Sequence, residues 1–305
     1  MPLFEVNSNH RLQLIKERSF SLEKDIQRLA ENNLERIFDL RFVRSEFPLQ
    51  TFRIDTLAID EKTNSFVILE YKRDKNFSVI DQGYAYLSLM LNNKADFILE
   101  HNEKCQTTLK RNDIDWSQSR VIFVSPSFTN YQREAINFKD LPIELWEVKN
   151  YSNSTVAFNQ IKTAGSRESI KAISRNDENI ERVNEEIKVY TEEEHLQKAN
   201  ENIIELYETI KNAILNLDSL DIKPTKHWIA FQADKNVVDI NIQKAAIKLW
   251  INLRSGELDD PKNIARDVSE IGHWGNGDYE IKLSSDEQIE YIMSLVKQSL
   301  RKNKS

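Results

Sequence analysis

The stretch "FRIDTLAID-EKTNS-FVILEYKR", residues 52–73, constrains this chain most. Two runs fit for burial are joined by five polar residues, short enough for an antiparallel β-hairpin. In a strand, residues two apart share a face, so Phe66, Ile68, Glu70 and Lys72 point one way and Val67, Leu69 and Tyr71 the other. A core strand thus ends on an aligned carboxylate and ammonium, roughly 7 Å apart along the backbone. Around the hairpin the order reads α-β-β-α-β-α-β: helix 22–38 with Ser21 as N-cap and Leu22, Ile26, Leu29, Ile37 and Phe38 on one face, helix 79–93, strand 120–125, a polar helix from Asn130, and strand 143–148. That order predicts an α/β domain, a mixed sheet flanked by helices.

Length sets the domain count. At 305 residues the chain exceeds one ordinary domain. We expect an α/β domain over 1–165, a polar helical connector exposed to solvent over 166–200, and a small α+β domain over 201–305. With 40% hydrophobic and 30% charged residues and no apolar run near the roughly 20 residues that span a bilayer, no membrane is implied. The N-terminal stretch lacks the layout of a secretory signal, so the expected location is cytoplasmic. The single cysteine, Cys105, excludes an internal disulfide, and the five histidines show no zinc-like spacing. Net charge is −7, against a uniformly basic nucleic-acid coat. Residues 1–165 carry 22 Lys and Arg against 23 Asp and Glu, and the rest 20 against 26, so a basic groove fits only the first part.

Glu70-x-Lys72 alone says little, because Glu147–Lys149, Glu186–Lys188 and Glu280–Lys282 repeat it. Its company is what separates it. Asp55 lies on the preceding strand, and the hairpin returns the chain to its side. Paired carboxylates repel unless a cation neutralises them, and Mg²⁺ prefers a few carboxylate oxygens, retained waters and phosphate oxygens. Asp55 and Glu70 with the Tyr71 carbonyl offer that set; Lys72 could orient a water and offset charge on a phosphorane-like transition state. Gln82 and Tyr86, four apart in "QGYAY", share a helix face.

The combination "RID" (53–55), "EYK" (70–72) and "QxxxY" (82–86), after the helix "LEKDIQRLAENN", resembles the PD-(D/E)xK nuclease superfamily, particularly its RecB-like and NucS-like branches. Ile54 stands where the superfamily name has proline. The resemblance covers roughly residues 20–150 and implies a restriction-endonuclease-like fold and a Mg²⁺- or Mn²⁺-dependent deoxyribonuclease. Asp55 and Glu70 would be metal ligands with Tyr71, and Lys72 the catalytic lysine. Gln82 and Tyr86 would support the site, and Glu23, with Glu31 competing, would be the first-helix acid. Arg53, Arg73 and Lys75 suit phosphate contacts. DNA is the expected partner, with RNA left open. The alternative is a non-cleaving nucleic-acid-binding or assembly module on the same fold.

Residues 224–300 resemble a small domain of unknown function often fused to such nuclease-like domains and loosely labelled "predicted transport protein", a label without support in a chain lacking a membrane span. Its "GHWGNGD" turn, 272–278, holds three of the six glycines. We expect a tight turn that lets Trp274 pack, with His273 structural. A protein partner, a modified base or a second copy of the chain are the alternatives for this domain.

Overall fold

The structure, a computed structural model, describes residues 2–73, 77–162, 168–170, 178–271 and 275–304. It forms two units, Met1–Val189 and Tyr190–Ser305.

The first unit opens with a hairpin, β1 (Leu3–Val6) and β2 (Leu12–Ile15), and continues through β3 (Glu17–Arg18), α1 (Glu23–Glu31), α2 (Leu34–Phe38), β4 (Arg41–Leu49), β5 (Phe52–Asp60), β6 (Ser65–Tyr71), α3 (Val79–Asn92), α4 (Lys94–Cys105), β7 (Arg120–Ser125), α5 (Asn130–Ala135), β8 (Ile143–Tyr151), β9 (Val156–Gln160) and α6 (Glu178–Glu186). Seven strands make one mixed sheet in the order β3-β8-β7-β6-β5-β4, with β9 on β8. The pairs β6–β7 and β7–β8 are parallel and the rest antiparallel. The expected mixed sheet flanked by helices is therefore present.

β6 is buried along its whole length. Phe66 and Ile68 join the core containing α3 residues Leu87 and Met90, and Val67, Leu69 and Tyr71 join the core containing Ile26, Ala30 and Leu34 of α1 and α2. Each large side chain so buried contributes about 1.5–3 kcal/mol. That anchorage lets the strand carry a charged residue at its end, where an unpaired charge would otherwise be expelled.

Four readings are corrected. The helix over 22–38 breaks at Asn32–Asn33 into α1 and α2, with the Asn33 side chain donating to the Leu29 carbonyl at 2.8 Å. Its N-cap is Leu22, not Ser21: Asp25 accepts the Leu22 N–H at 3.0 Å, and the Leu22 side chain is exposed. β4 was not expected, because "RFVRSEFPL" mixes charge and proline as an edge strand tolerates. The segment expected as an exposed connector over 166–200 is, in part of its described residues, packed rather than exposed. α6 packs within the first unit, burying Val183 and Ile187 in the same core as α3, while Tyr84 donates to Asn184 at 3.0 Å. Ile180, Val183 and Ile187 form a narrow apolar stripe inside an otherwise polar stretch, enough to dock one helix.

The second unit contains α7 (Glu192–Leu196), α8 (Glu201–Leu215), β10 (Asp221–Pro224), β11 (Ile229–Gln232), β12 (Asn236–Ile242), β13 (Ile247–Ile251), β14 (Arg266–Asp267), β15 (Tyr279–Leu283) and α9 (Ile289–Asn303). Its antiparallel sheet, β10-β11-β12-β13-β15-β14, shares a core with α8 and α9 through Tyr207, Ile210, Ile292 and Val296. His273 and Trp274 lie outside the described residues. The flanking glycines allow close approach to β13: a Cβ on Gly275 would stand 2.3 Å from the Trp250 ring, and one on Gly277 1.9 Å from the Ile251 carbonyl oxygen. Among the described residues no helix is long and apolar enough to cross a membrane.

Candidate active site

The hairpin of β5 and β6 pairs from Asp60↔Ser65 to Thr56↔Leu69 and then stops. Asp55 and Glu70 would be the next pair. Beyond them β6 stays with β7, through Tyr71↔Val124 and the Lys72 N–H on the Val124 carbonyl at 2.9 Å, while β5 stays with β4 as far as Phe52↔Leu49. The sheet parts between β5 and β6 at this end. Asp55 fills the gap with its side chain, whose Oδ2 accepts the Tyr71 N–H at 3.1 Å.

Glu70 is only 4% exposed. Its Oε1 accepts the Lys72 ammonium at 2.6 Å, and its Oε2 has no hydrogen-bond partner among the described residues. Tyr86, brought in by α3, sits against the same carboxylate, with Gln82 beside the phenol. Gln82 is half-buried, and its Oε1 is likewise unpartnered among the described residues. Burial and the neighbouring charge of Glu70 push Asp55 up to about 7, against the pull of the Tyr71 amide and Lys72. Glu70 is also raised, by burial first, with Lys72 and Tyr86 opposing. Burial pushes the Tyr86 phenol far above its ordinary value, so it stays protonated.

The two candidate acids of α1 take different places. Glu23 is exposed, accepts the Arg73 N–H at 2.9 Å, and its charge reaches both Asp55 and Glu70. Glu31 instead accepts the Thr56 hydroxyl at 2.6 Å and the Gln27 amide at 3.0 Å. Arg73 is exposed, with its guanidinium on the Ser21 carbonyl at 2.9 Å, and exposed Arg53 pairs with Glu46 at 2.7 Å. Lys75 lies outside the described residues. The other Glu-x-Lys copies are committed to ion pairs with different elements: Glu147 with Arg133, Glu186 with Lys94, and Glu280 with Lys248.

Sequence reasoning missed the polar cluster of Gln27, Glu31, Ser45 and Thr56. Its signal was a glutamine beside Ile26 on the buried stripe of α1 and a threonine opening the apolar run "TLAI".

Among the described residues no three His, Cys, Asp or Glu side chains gather as a metal cage. What the chain offers is two carboxylates whose protons burial holds more tightly, and a Glu70 oxygen without a hydrogen-bond partner among the described residues, at the end of the strand that carries the Tyr71 carbonyl. That donor set fits Mg²⁺ or Mn²⁺, hard cations that keep waters and take few protein oxygens.

A Haemophilus influenzae (strain ATCC 51907 / DSM 11121 / KW20 / Rd) protein described as uncharacterized is 54% identical over 292 residues, 95% of this chain and 97% of that one. The chain belongs to the same family as that protein. A model of a domain of unknown function, DUF5655, matches residues 192–302, within the second unit. Two solved structures are similar to the chain: a repair endonuclease from Pyrococcus abyssi, with 20% identity and a TM-score of 0.23 over 40% of this chain and 45% of that chain, and EndoMS in an EndoMS–dsDNA2 complex, with 16% identity and a TM-score of 0.27 over 48% and 65%.

Proposed function

We propose that the first unit is a metal-dependent nuclease hydrolysing phosphodiester bonds in DNA. The observation that carries this reading is the meeting of Asp55 and Glu70 where β5 and β6 part, with Lys72 on one Glu70 oxygen and the other without a hydrogen-bond partner among the described residues. Asp55 and Glu70, with the Tyr71 carbonyl, would hold Mg²⁺ or Mn²⁺. Such an ion supplies Lewis-acid polarisation of a phosphoryl oxygen and acidifies bound water.

The chain's own groups divide the remaining work. Lys72, partly exposed and held at Glu70, places a positive charge where it can orient the attacking water and offset charge gathering on phosphorus. Tyr86, kept protonated by burial, lies against the Glu70 carboxylate, where its phenol can donate to it. Glu23 accepts the Arg73 main-chain N–H and so ties the chain just past Lys72 to α1. Exposed Arg53 and Arg73 can meet phosphates, which position a nucleic acid without reading its sequence. DNA is named as substrate on the motif pattern of Asp55, Glu70–Lys72 and Gln82–Tyr86, which resembles nucleases.

Cleavage of single-stranded, duplex and branched DNA with Mg²⁺ or Mn²⁺ tests the reading, beside Asp55→Ala and Lys72→Ala. Each substitution is expected to lower the rate at least about 100-fold, the scale of a lost transition-state charge partner. Unchanged cleavage in both variants would sink the assignment. Salt-sensitive DNA binding with no metal-dependent cleavage would favour the non-cleaving module instead.

A further inference from the structure

The Asp55 carboxylate is only as well placed as its main chain, and that main chain lies at a break. Pairing with β6 ends at Thr56, and the register with β4 passes from Ser45↔Thr56 to Phe47↔Ile54 with no pair at Asp55. Opposite the gap, Glu46 takes a φ of +52°, a left-handed conformation that a regular strand does not adopt. A carbonyl at such a break is left to water or to a side chain. Here a side chain takes it.

Gln27 of α1, 5% exposed, places its amide nitrogen 3.0 Å from the Asp55 carbonyl oxygen, 3.0 Å from Glu31 Oε1 and 3.2 Å from Ser45 Oγ. The amide has two hydrogens, and the two shorter contacts, to Asp55 and Glu31, take them. Glu31 is itself fixed by the Thr56 hydroxyl at 2.6 Å, so the far end of the amide is tied to the residue next to Asp55. α1 therefore grips β5 on both sides of one peptide bond. The same peptide region aims the Asp55 carboxylate at the Tyr71 N–H across the gap.

We infer that Gln27 is a positioning residue for the proposed metal site, pinning the Asp55 main chain so that its carboxylate is preset beside Glu70. The inference rests on the metal-site reading. Gln27 touches neither the metal nor the substrate. It acts through Asp55, as supporting hydrogen bonds act on ligands in other metal centres, where their loss costs about 10–100-fold in affinity.

Calorimetric titration of the full chain with Mn²⁺ tests this without reference to cleavage. Gln27→Met keeps length and loses both donors; Gln27→Asn keeps the amide but is one methylene too short to reach. Both are expected to weaken Mn²⁺ binding at least about tenfold. Ile26→Val, which thins the core beneath the same helix, is expected to lower Tm and leave Mn²⁺ affinity unchanged. Should Gln27→Met fail to fold, Gln27→Asn decides. Wild-type affinity in the folded Gln27 variants overturns the inference, and so does an equal loss in Ile26→Val, which would make the effect one of stability. Failure of the wild-type chain to bind Mn²⁺ overturns the metal-site reading itself, and is distinguishable because no variant is then needed.

Discussion

At Asp55 a single side chain does what ladder bonds do elsewhere: it bridges two strands where their pairing has stopped. The cost of that arrangement is electrostatic and depends on pH. Asp55 titrates near 7 in the folded chain, and a carboxyl has its ordinary value when unfolded, so the folded state binds the proton more tightly. Stability from this group is complete below about pH 4 and falls as pH rises toward 7. Glu70 is shifted in the same direction and adds to the fall. In EDTA, scanning calorimetry should therefore give a lower Tm at pH 8 than at pH 5.5. Asp55→Asn, which retains an acceptor for the Tyr71 N–H, should reduce that difference. Mn²⁺ should raise Tm more at pH 8 than at pH 5.5, since it replaces the proton that the pair has lost. An equal effect of Mn²⁺ at both pH values would contradict a carboxylate-held ion.

At the scale of elements, close packing makes its own predictions. Gly277 is required because a methyl there would meet the Ile251 backbone oxygen, an atom that cannot swing aside as a side chain can. Gly277→Ala should cost roughly 2–4 kcal/mol, read as a shifted urea midpoint, whereas Gly256→Ala, with open space around it but a φ of +84°, should cost less. The hairpin of β5 and β6, the Glu70–Lys72 strand end and the α3 face bearing Tyr86 were legible because each depends on short-range periodicity. Asp55's break in pairing, the edge strand β4 and the Gln27 cluster were not, since each is decided by a neighbour distant in sequence. Gln27 lies 28 positions from the carbonyl it serves. The choice between Glu23 and Glu31 was similarly open in sequence, because both lie on α1 and only the sheet shows which one approaches the cleft.

At the scale of the whole molecule, composition misplaced a boundary. Residues 166–200 are polar and acidic enough to read as a spacer, yet Val183 and Ile187 are almost wholly buried in the first unit's core. Two such side chains contribute about 3–6 kcal/mol by burial alone, and the Tyr84–Asn184 hydrogen bond adds about 1 kcal/mol. A typical domain's entire stability is about 5–15 kcal/mol. A cut at residue 165 therefore removes a large share of what holds the first unit together and exposes the surface of α3, the helix that supplies Tyr86 to the candidate site. A cut after residue 189 removes none of it. The fragment 1–189 should unfold cooperatively on heating, with a near-ultraviolet circular dichroism signal from its packed aromatic residues. The fragment 1–165 should lose much of that signal or precipitate. Equal melting of the two fragments would mean that α6 is an appendage, and the first unit would then end where its composition changes.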